Sequence, residues 1–138
     1  MRILLDTNIA VDILSERKPF CDASIACYEN AVLQGNKIYI STVSVADVMY
    51  LTRKYFADKK EQLQKVSAFM NSICIAKVTK KDLQFAFSGV MSDFEDAVQS
   101  FCAKRHRVRY IITRNVKDYT LSPVPAVEPS DFLALCAR

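Results

Sequence analysis

The chain has 138 residues, about the size of one compact domain, and is 51% hydrophobic and 25% charged, enough apolar material to exclude intrinsic disorder. Nineteen Lys and Arg against fifteen Asp and Glu leave a net charge of +4, which permits a polyanionic partner without proving one. Only two glycines are present, Gly35 and Gly89, so neither a Walker A loop nor a dinucleotide-binding fingerprint can be written.

Arg2 to Leu5 is a short aliphatic run with an abrupt polar end at Asp6, the pattern of a buried parallel strand. The same acid stops the run too early for a signal peptide or a membrane span, and no other stretch approaches the roughly 20 apolar residues a span needs. A soluble, cytoplasmic protein without membrane association is the expectation. After Asp6-Thr7-Asn8 a helical pattern runs through Ile9 to Leu14. Ala23, Cys27 and Ala31 recur every four residues and predict an amphipathic helix over 20–34, closed by Gly35-Asn36. Lys37 to Ile40 reads as a second strand, Val43 to Phe56 as a helix, and Lys59 to Ser72 as a further amphipathic helix. Ile73 to Val78 is a third strand, and Thr79 is a suitable cap for a helix over Lys80 to Ser88. Asp93 opens a helix to about Arg105. Val108 to Thr113 is the fourth strand. The proline-rich tail 122–127 reads as a loop that admits only a short edge strand, and Pro129 suits the first turn of a last helix.

Strands alternating with helices predict a parallel sheet covered on both faces. The expected fold is an α/β protein, a three-layer α/β/α sandwich with four to five parallel strands, forming one domain over residues 1–138.

Five cysteines, an odd number without a C-x-x-C pair, predict buried free thiols. Zinc is disfavoured, because the single histidine, His106, has no nearby cysteine pair. Cys102 and His106 stand four apart, a spacing that leaves a Cys–His couple open. The cationic run Lys104-Arg105-His106-Arg107 points instead to a helix-end role for the imidazole.

In open parallel sheets, ligands bind at the carboxyl ends of the strands. Asp6, with Thr7 and Asn8, follows the first strand. Asp47 lies early in the helix after the second, and its neighbours Val43, Val45, Ala46, Val48 and Met49 suggest a helix central to the domain. Asp93 and Asp96 occupy the first turn of the helix before the fourth strand, and Asn115 and Asp118 come just after that strand. Asp93 alone equally suits a helix cap, and Asp118 alone an ordinary turn. Carboxylates converging in one cleft would repel one another unless a cation offset them. Hard oxygen donors without His or Cys select Mg²⁺ or Mn²⁺.

In their order and contexts, four pieces resemble the PIN domain family of metal-dependent nucleases, including VapC-type toxins. They are Ile3-Leu4-Leu5-Asp6-Thr7-Asn8, Ile40-Ser41-Thr42-Val43-Ser44-Val45-Ala46-Asp47, Asp93-Phe94-Glu95-Asp96-Ala97 and Ile112-Thr113-Arg114-Asn115-Val116-Lys117-Asp118-Tyr119. The resemblance spans essentially the whole chain. It implies a catalytic quartet of Asp6, Asp47, Asp96 and Asp118, with Asp6 and Asp96 as principal ligands of Mg²⁺ or Mn²⁺. Thr113 and Asn115 would hold the site by hydrogen bonds, and Asn8 would orient Asp6 in the same way. The family usually carries Glu at the second acid, where this chain has Asp47, one methylene shorter. Asp93, on the face of Asp96, is the acid placed to compensate.

The implied chemistry is endonucleolytic hydrolysis of RNA, in which metal ions bind phosphate oxygen, acidify a water and stabilise the leaving oxygen. The implied biology is the toxin of a type II toxin–antitoxin system, with RNA as substrate, an antitoxin as protein partner and a homodimer as a further option through Tyr50, Leu51, Tyr55 and Phe56. Arg114, beside the cleft, is the candidate RNA-binding residue, and the runs Lys104–Arg109 and Arg53-Lys54 are alternatives. A competing reading, favoured by Asp47 in place of Glu, is a catalytically weak module that binds RNA or a protein partner. A phospho-acceptor domain fits less well, because Leu5 and Thr7 flank Asp6 where such domains want further acids.

Overall fold

The computed structural model describes residues 1–138. Its layering is set in β1 (Arg2–Leu5), where Ile3 and Leu5 enter one apolar cluster and Leu4 another, all fully buried. A strand buried on both faces belongs inside a parallel sheet. β2 (Lys37–Ser41), β3 (Cys74–Ala76), β4 (Tyr110–Ile112) and β5 (Ala126–Val127) complete it, all parallel, in the order β3-β2-β1-β4-β5. Seven helices cover the sheet, giving the expected three-layer α/β/α sandwich. The third and fourth strands are shorter than their apolar runs, and the tail does form a short edge strand.

On one face, α1 (Thr7–Ser15), α2 (Cys21–Leu33) and α7 (Pro129–Cys136) pack Ile9, Cys27, Ala31 and Phe132 over Ile3, Leu5, Ile38 and Ile112. On the other, α5 (Lys80–Phe87) and α6 (Phe94–Arg105) bring Ala86, Ala97, Val98, Cys102 and Ala103 over Leu4 and Ile111. A third cluster joins α1 to α3 (Thr42–Thr52) and α4 (Lys59–Asn71) through Ala10, Val11, Val48 and Val66.

Local signals explain the boundaries. Gly35 takes φ +70°, and Asn36 N–H donates back to Ala31 carbonyl at 2.9 Å, ending α2. Asp58 accepts from Glu61 N–H at 2.8 Å at the start of α4, and Thr79 with Asp82 forms a capping box on α5. The expected helix over 43–56 ends earlier: α3 stops at Thr52 and a 3₁₀ turn follows over Arg53–Tyr55.

α3 is peripheral, not central. Only Ser44, Val48 and Thr52 are buried in it, while Tyr50 and Leu51 are exposed. Its apolar residues run round the helix without a core to receive them all. No helix is long and apolar enough to cross a membrane.

All five cysteines are free thiols. Cys21, Cys27 and Cys102 are buried as expected, but Cys74 on the short β3 is exposed. His106 caps the end of α6, its Nδ1–H donating to the Cys102 carbonyl at 2.8 Å. Burial pushes the Cys102 thiol up to about 12, which keeps it protonated and unsuited to nucleophilic work.

Candidate active site

The strand order reverses direction at β1, whose neighbours are β2 and β4. Crevices at the carboxyl ends of strands open at such a switch point. Here Asp6 leaves β1 with its N–H on the Ile112 carbonyl of β4, 2.9 Å away, so the two strand exits are side by side. A cleft of about 360 Å³ opens above them, lined by Asp6, Asp47, Asp93, Glu95, Asp96 and Asp118. Six of the fifteen acids are thus gathered in one place, and Arg17 is the single cationic side chain on its walls. The net +4 conceals a sharply negative hole in a positive surface.

Asp6 is the best-fixed of them. It is buried, N-caps α1, and accepts on Oδ1 from Thr7 N–H and Gln99 Nε2, each at 2.7 Å, and on Oδ2 from Thr113 Oγ1 at 2.8 Å. Burial pushes its carboxyl up, while these donors pull it back. Beneath it lies a closed polar network. Ser41 and Ser44 donate to Gln99 Oε1 at 3.0 and 3.1 Å, and Thr7 Oγ1 donates to Ser44 at 2.8 Å. Gln99, Ser41 and Ser44 are fully buried. The Gln99 amide can therefore point its donor end only at Asp6, because two hydroxyls occupy its oxygen.

Asp96 sits one turn above Gln99 on α6, and the Tyr119 hydroxyl donates to its Oδ1 at 3.2 Å. Its carboxyl is raised to about 7, first by burial and then by the charges of Asp6 and Asp93. Asp93 caps α6, accepting from Asp96 N–H at 2.8 Å, and lines the cleft as well, so it fills both roles its position suggested. Asp118, exposed on the 3₁₀ turn over Val116–Tyr119, adds its charge to the same cleft.

Asp47 reaches the same cleft from α3, and there it meets Glu95. The neighbouring Asp47 carboxyl raises the Glu95 carboxyl to about 8, ahead of burial and the surrounding negative charge. Sequence reasoning left Glu95 without a role, because acids are ordinary in a helix first turn. Gln99 was missed for a similar reason, as one amide in an amphipathic helix. The available signal was its company: Ala97, Val98, Ser100, Cys102 and Ala103 around it are small and buried.

Among the supporting residues, Thr113 and Asn115 make hydrogen bonds at the site, and Asn8 makes them to the β4 exit rather than to Asp6. Asn8 makes no hydrogen bond to Asp6. Its Nδ2 donates to Thr113 Oγ1 at 3.4 Å, and its Oδ1 accepts from Arg114 N–H at 3.3 Å, so it steadies the β4 exit. Asn115 contributes its backbone N–H, which donates to Thr113 Oγ1 at 3.0 Å. Thr113 is the hub of both and bonds Asp6 directly.

Arg114 is not among the residues lining the acidic cleft. Its Nε donates to Asp12 at 2.8 Å and its guanidinium lies 3.8 Å from the centre of the Phe20 ring. The run Lys104–Arg109 is at the opposite end of the sheet, where Arg109 N–H donates to the carbonyl of Arg2, the first residue of β1. Arg105 there forks onto buried Asp82, both contacts 2.6 Å.

A divalent cation fits the donor set: six carboxylates, no His or Cys, and two acids protonated near neutral pH for want of positive charge. No three of them are drawn together closely enough to cage an ion by themselves.

A family model described as PIN domain matches residues 2–117. No curated protein sequence matches the chain. Solved structures do. VapBC2 from Rickettsia felis, bound to a promoter DNA fragment, aligns with TM-score 0.68 at 21% identity over 93% of this chain and 98% of its own. A toxin–antitoxin complex from Klebsiella pneumoniae gives 0.69 at 24% identity, over 92% and 97%. VapC20 from Mycobacterium tuberculosis, described as a sarcin–ricin loop cleaving toxin, gives 0.62 at 13% identity, over 96% and 94%. At these identities the shared property is the fold.

Proposed function

This chain belongs to the PIN domain family, and from that premise we propose that it is a Mg²⁺- or Mn²⁺-dependent endoribonuclease, the toxin of a toxin–antitoxin pair. The observation that carries the reading is the gathering of Asp6, Asp47, Glu95, Asp96 and Asp118 in one cleft at the strand exits. Asp6 and Asp96 would hold the cation, with Asp118, Asp47 and Glu95 lining the same cleft. When bound, the ion would supply positive charge to a phosphodiester and acidify a water. The chain's own part is to fix Asp6 through Gln99 and Thr113, and to hold the Tyr119 phenol, raised by burial, as a donor to Asp96.

The toxin–antitoxin identity of the Klebsiella pneumoniae neighbour and the cleaving toxin from Mycobacterium tuberculosis support an antitoxin partner and an RNA substrate here. Tyr50, Leu51 and Tyr55 form an exposed apolar strip on and just after α3, suited to such a partner or to a second copy. The shorter Asp47 supports the second reading, a weakly catalytic module that binds RNA or protein. Glu95 meets Asp47 across the cleft and supplies the longer carboxylate, which favours the enzyme.

RNA cleavage in Mn²⁺ or Mg²⁺ tests this directly. Activity lost in Asp6→Asn and in Asp96→Asn, and in excess EDTA, is the expected result. Cleavage that survives both substitutions sinks the assignment, and an RNA-binding but non-cleaving parent protein selects the second reading.

A further inference from the structure

We infer that Arg17 is the residue that receives the phosphate backbone of single-stranded RNA at the wall of the acidic cleft, and that buried Asp12 holds it there. The inference rests on the reading of the cleft as a site of RNA hydrolysis and names the group that engages the substrate.

Asp12 is fully buried in α1, and a buried carboxylate requires compensation. It has more than it needs. Arg17 Nε and Nη2 both donate to Oδ1, at 3.0 and 2.8 Å, while Arg114 Nε and Ser24 Oγ donate to Oδ2 at 2.8 and 3.4 Å. Two guanidinium groups on one carboxylate leave one positive charge over. Arg114 is committed to the far side by its Phe20 stack. Arg17, reached through the left-handed Glu16 at φ 52°, is the one that lines the cleft.

That charge is not spent on the cleft acids. The ion pair of Arg17 is with Asp12, its side chain is 32% exposed, and the other side chain that stands against it is the Tyr55 phenol, not a cleft acid. A guanidinium held by two bonds has lost its rotamer freedom in advance, so a phosphate contact costs little further ordering. Its planar fork matches a phosphodiester's two free oxygens. A cation on this wall also repels a metal ion, which separates a backbone side of the cleft from the carboxylate side.

The test is binding of a single-stranded RNA oligonucleotide in Ca²⁺, followed by fluorescence anisotropy across a KCl series. Arg17→Gln should weaken Kd about tenfold and lower the salt slope by about 0.7, the value for one phosphate contact on a single strand. Arg17→Lys, which keeps a charge beside Asp12, should retain the slope and lose several-fold in affinity, and it guards against a folding artefact. Mn²⁺ affinity by calorimetry should be no weaker in either variant, a readout that general structural damage would move. Arg109→Gln, at the far end of the sheet, is the control and should keep the parent slope. A parent-like slope in Arg17→Gln together with parent-like affinity in Arg17→Lys overturns the inference while leaving the nuclease reading intact, provided Asp6→Asn still abolishes cleavage. A parent protein that neither binds nor cuts RNA overturns both.

Discussion

Gln99 donates its side-chain amide to Asp6 at 2.7 Å, linking two residues 93 positions apart in sequence and both buried. The amide is oriented by Ser41 and Ser44, so Asp6 is held by a helix that also carries Asp93, Glu95 and Asp96. Replacing Gln99 by Met keeps the volume and removes the donor. It strands two seryl hydroxyls and should cost about 2 kcal/mol in urea unfolding. Mn²⁺ affinity should fall roughly tenfold, as for other residues that orient a ligand. Parent-like metal binding in a folded Gln99→Met protein would show that Asp6 needs no such support.

Stability should depend on pH in the unusual direction. Asp96 is raised to about 7 from its ordinary 3.8, and Glu95 to about 8 from 4.5. As pH climbs through that window the metal-free folded protein holds more protons than the unfolded chain, so stability falls. Thermal melts in EDTA should give a lower Tm at pH 8 than at pH 5. Added Mn²⁺ should recover the loss at pH 8 and do little at pH 5, because protons and metal compete for the same oxygens. A Tm that rises from pH 5 to pH 8 in EDTA would contradict the shifts.

Glu95→Gln removes one charge from the crowded wall facing Asp47. In EDTA at pH 8 its Tm should exceed that of the parent, since a repulsive contact has gone. Mn²⁺ binding should weaken about tenfold, judged against the effect typical of residues around a metal. An unchanged affinity would leave Glu95 as a bystander and restore weight to the shorter Asp47.

Arg105 makes the opposite kind of contribution. Its fork onto fully buried Asp82 ties α6 to the capping box of α5. Arg105→Ala leaves a buried carboxylate unpaired and should cost about 3 kcal/mol in chemical unfolding. Mn²⁺ affinity should stay at the parent value, because this pair lies at the other end of α6 from the cleft. A stable Arg105→Ala protein with weakened RNA binding would return Arg105 to the substrate track.

Much of this was written in the sequence, for identifiable reasons. Ile3-Leu4-Leu5 and Ile111-Ile112 read as parallel strands because both faces are covered, leaving no polar alternation. Asp6 could be singled out because a carboxylate directly after such a strand must lie near its buried end. What escaped depends on partners distant in the chain. Arg105 looked like part of a basic track until Asp82, 23 residues earlier, claimed it. Arg114 looked free until Asp12 did. The α3 helix misled in the other direction, since Val43, Val45, Ala46 and Met49 suggested a central helix, yet only Ser44, Val48 and Thr52 are buried in it.

Both oxygens of Asp6 are occupied by donors from the protein itself, a backbone amide, Gln99 and Thr113. The position of this carboxylate is therefore settled by folding, with no ion required to assemble it. Many metal-dependent folds take shape only as the ion arrives. Under the proposed metal-dependent activity the two events would come apart in time: the cleft would be shaped as the chain folds, and a divalent cation would enter it afterwards.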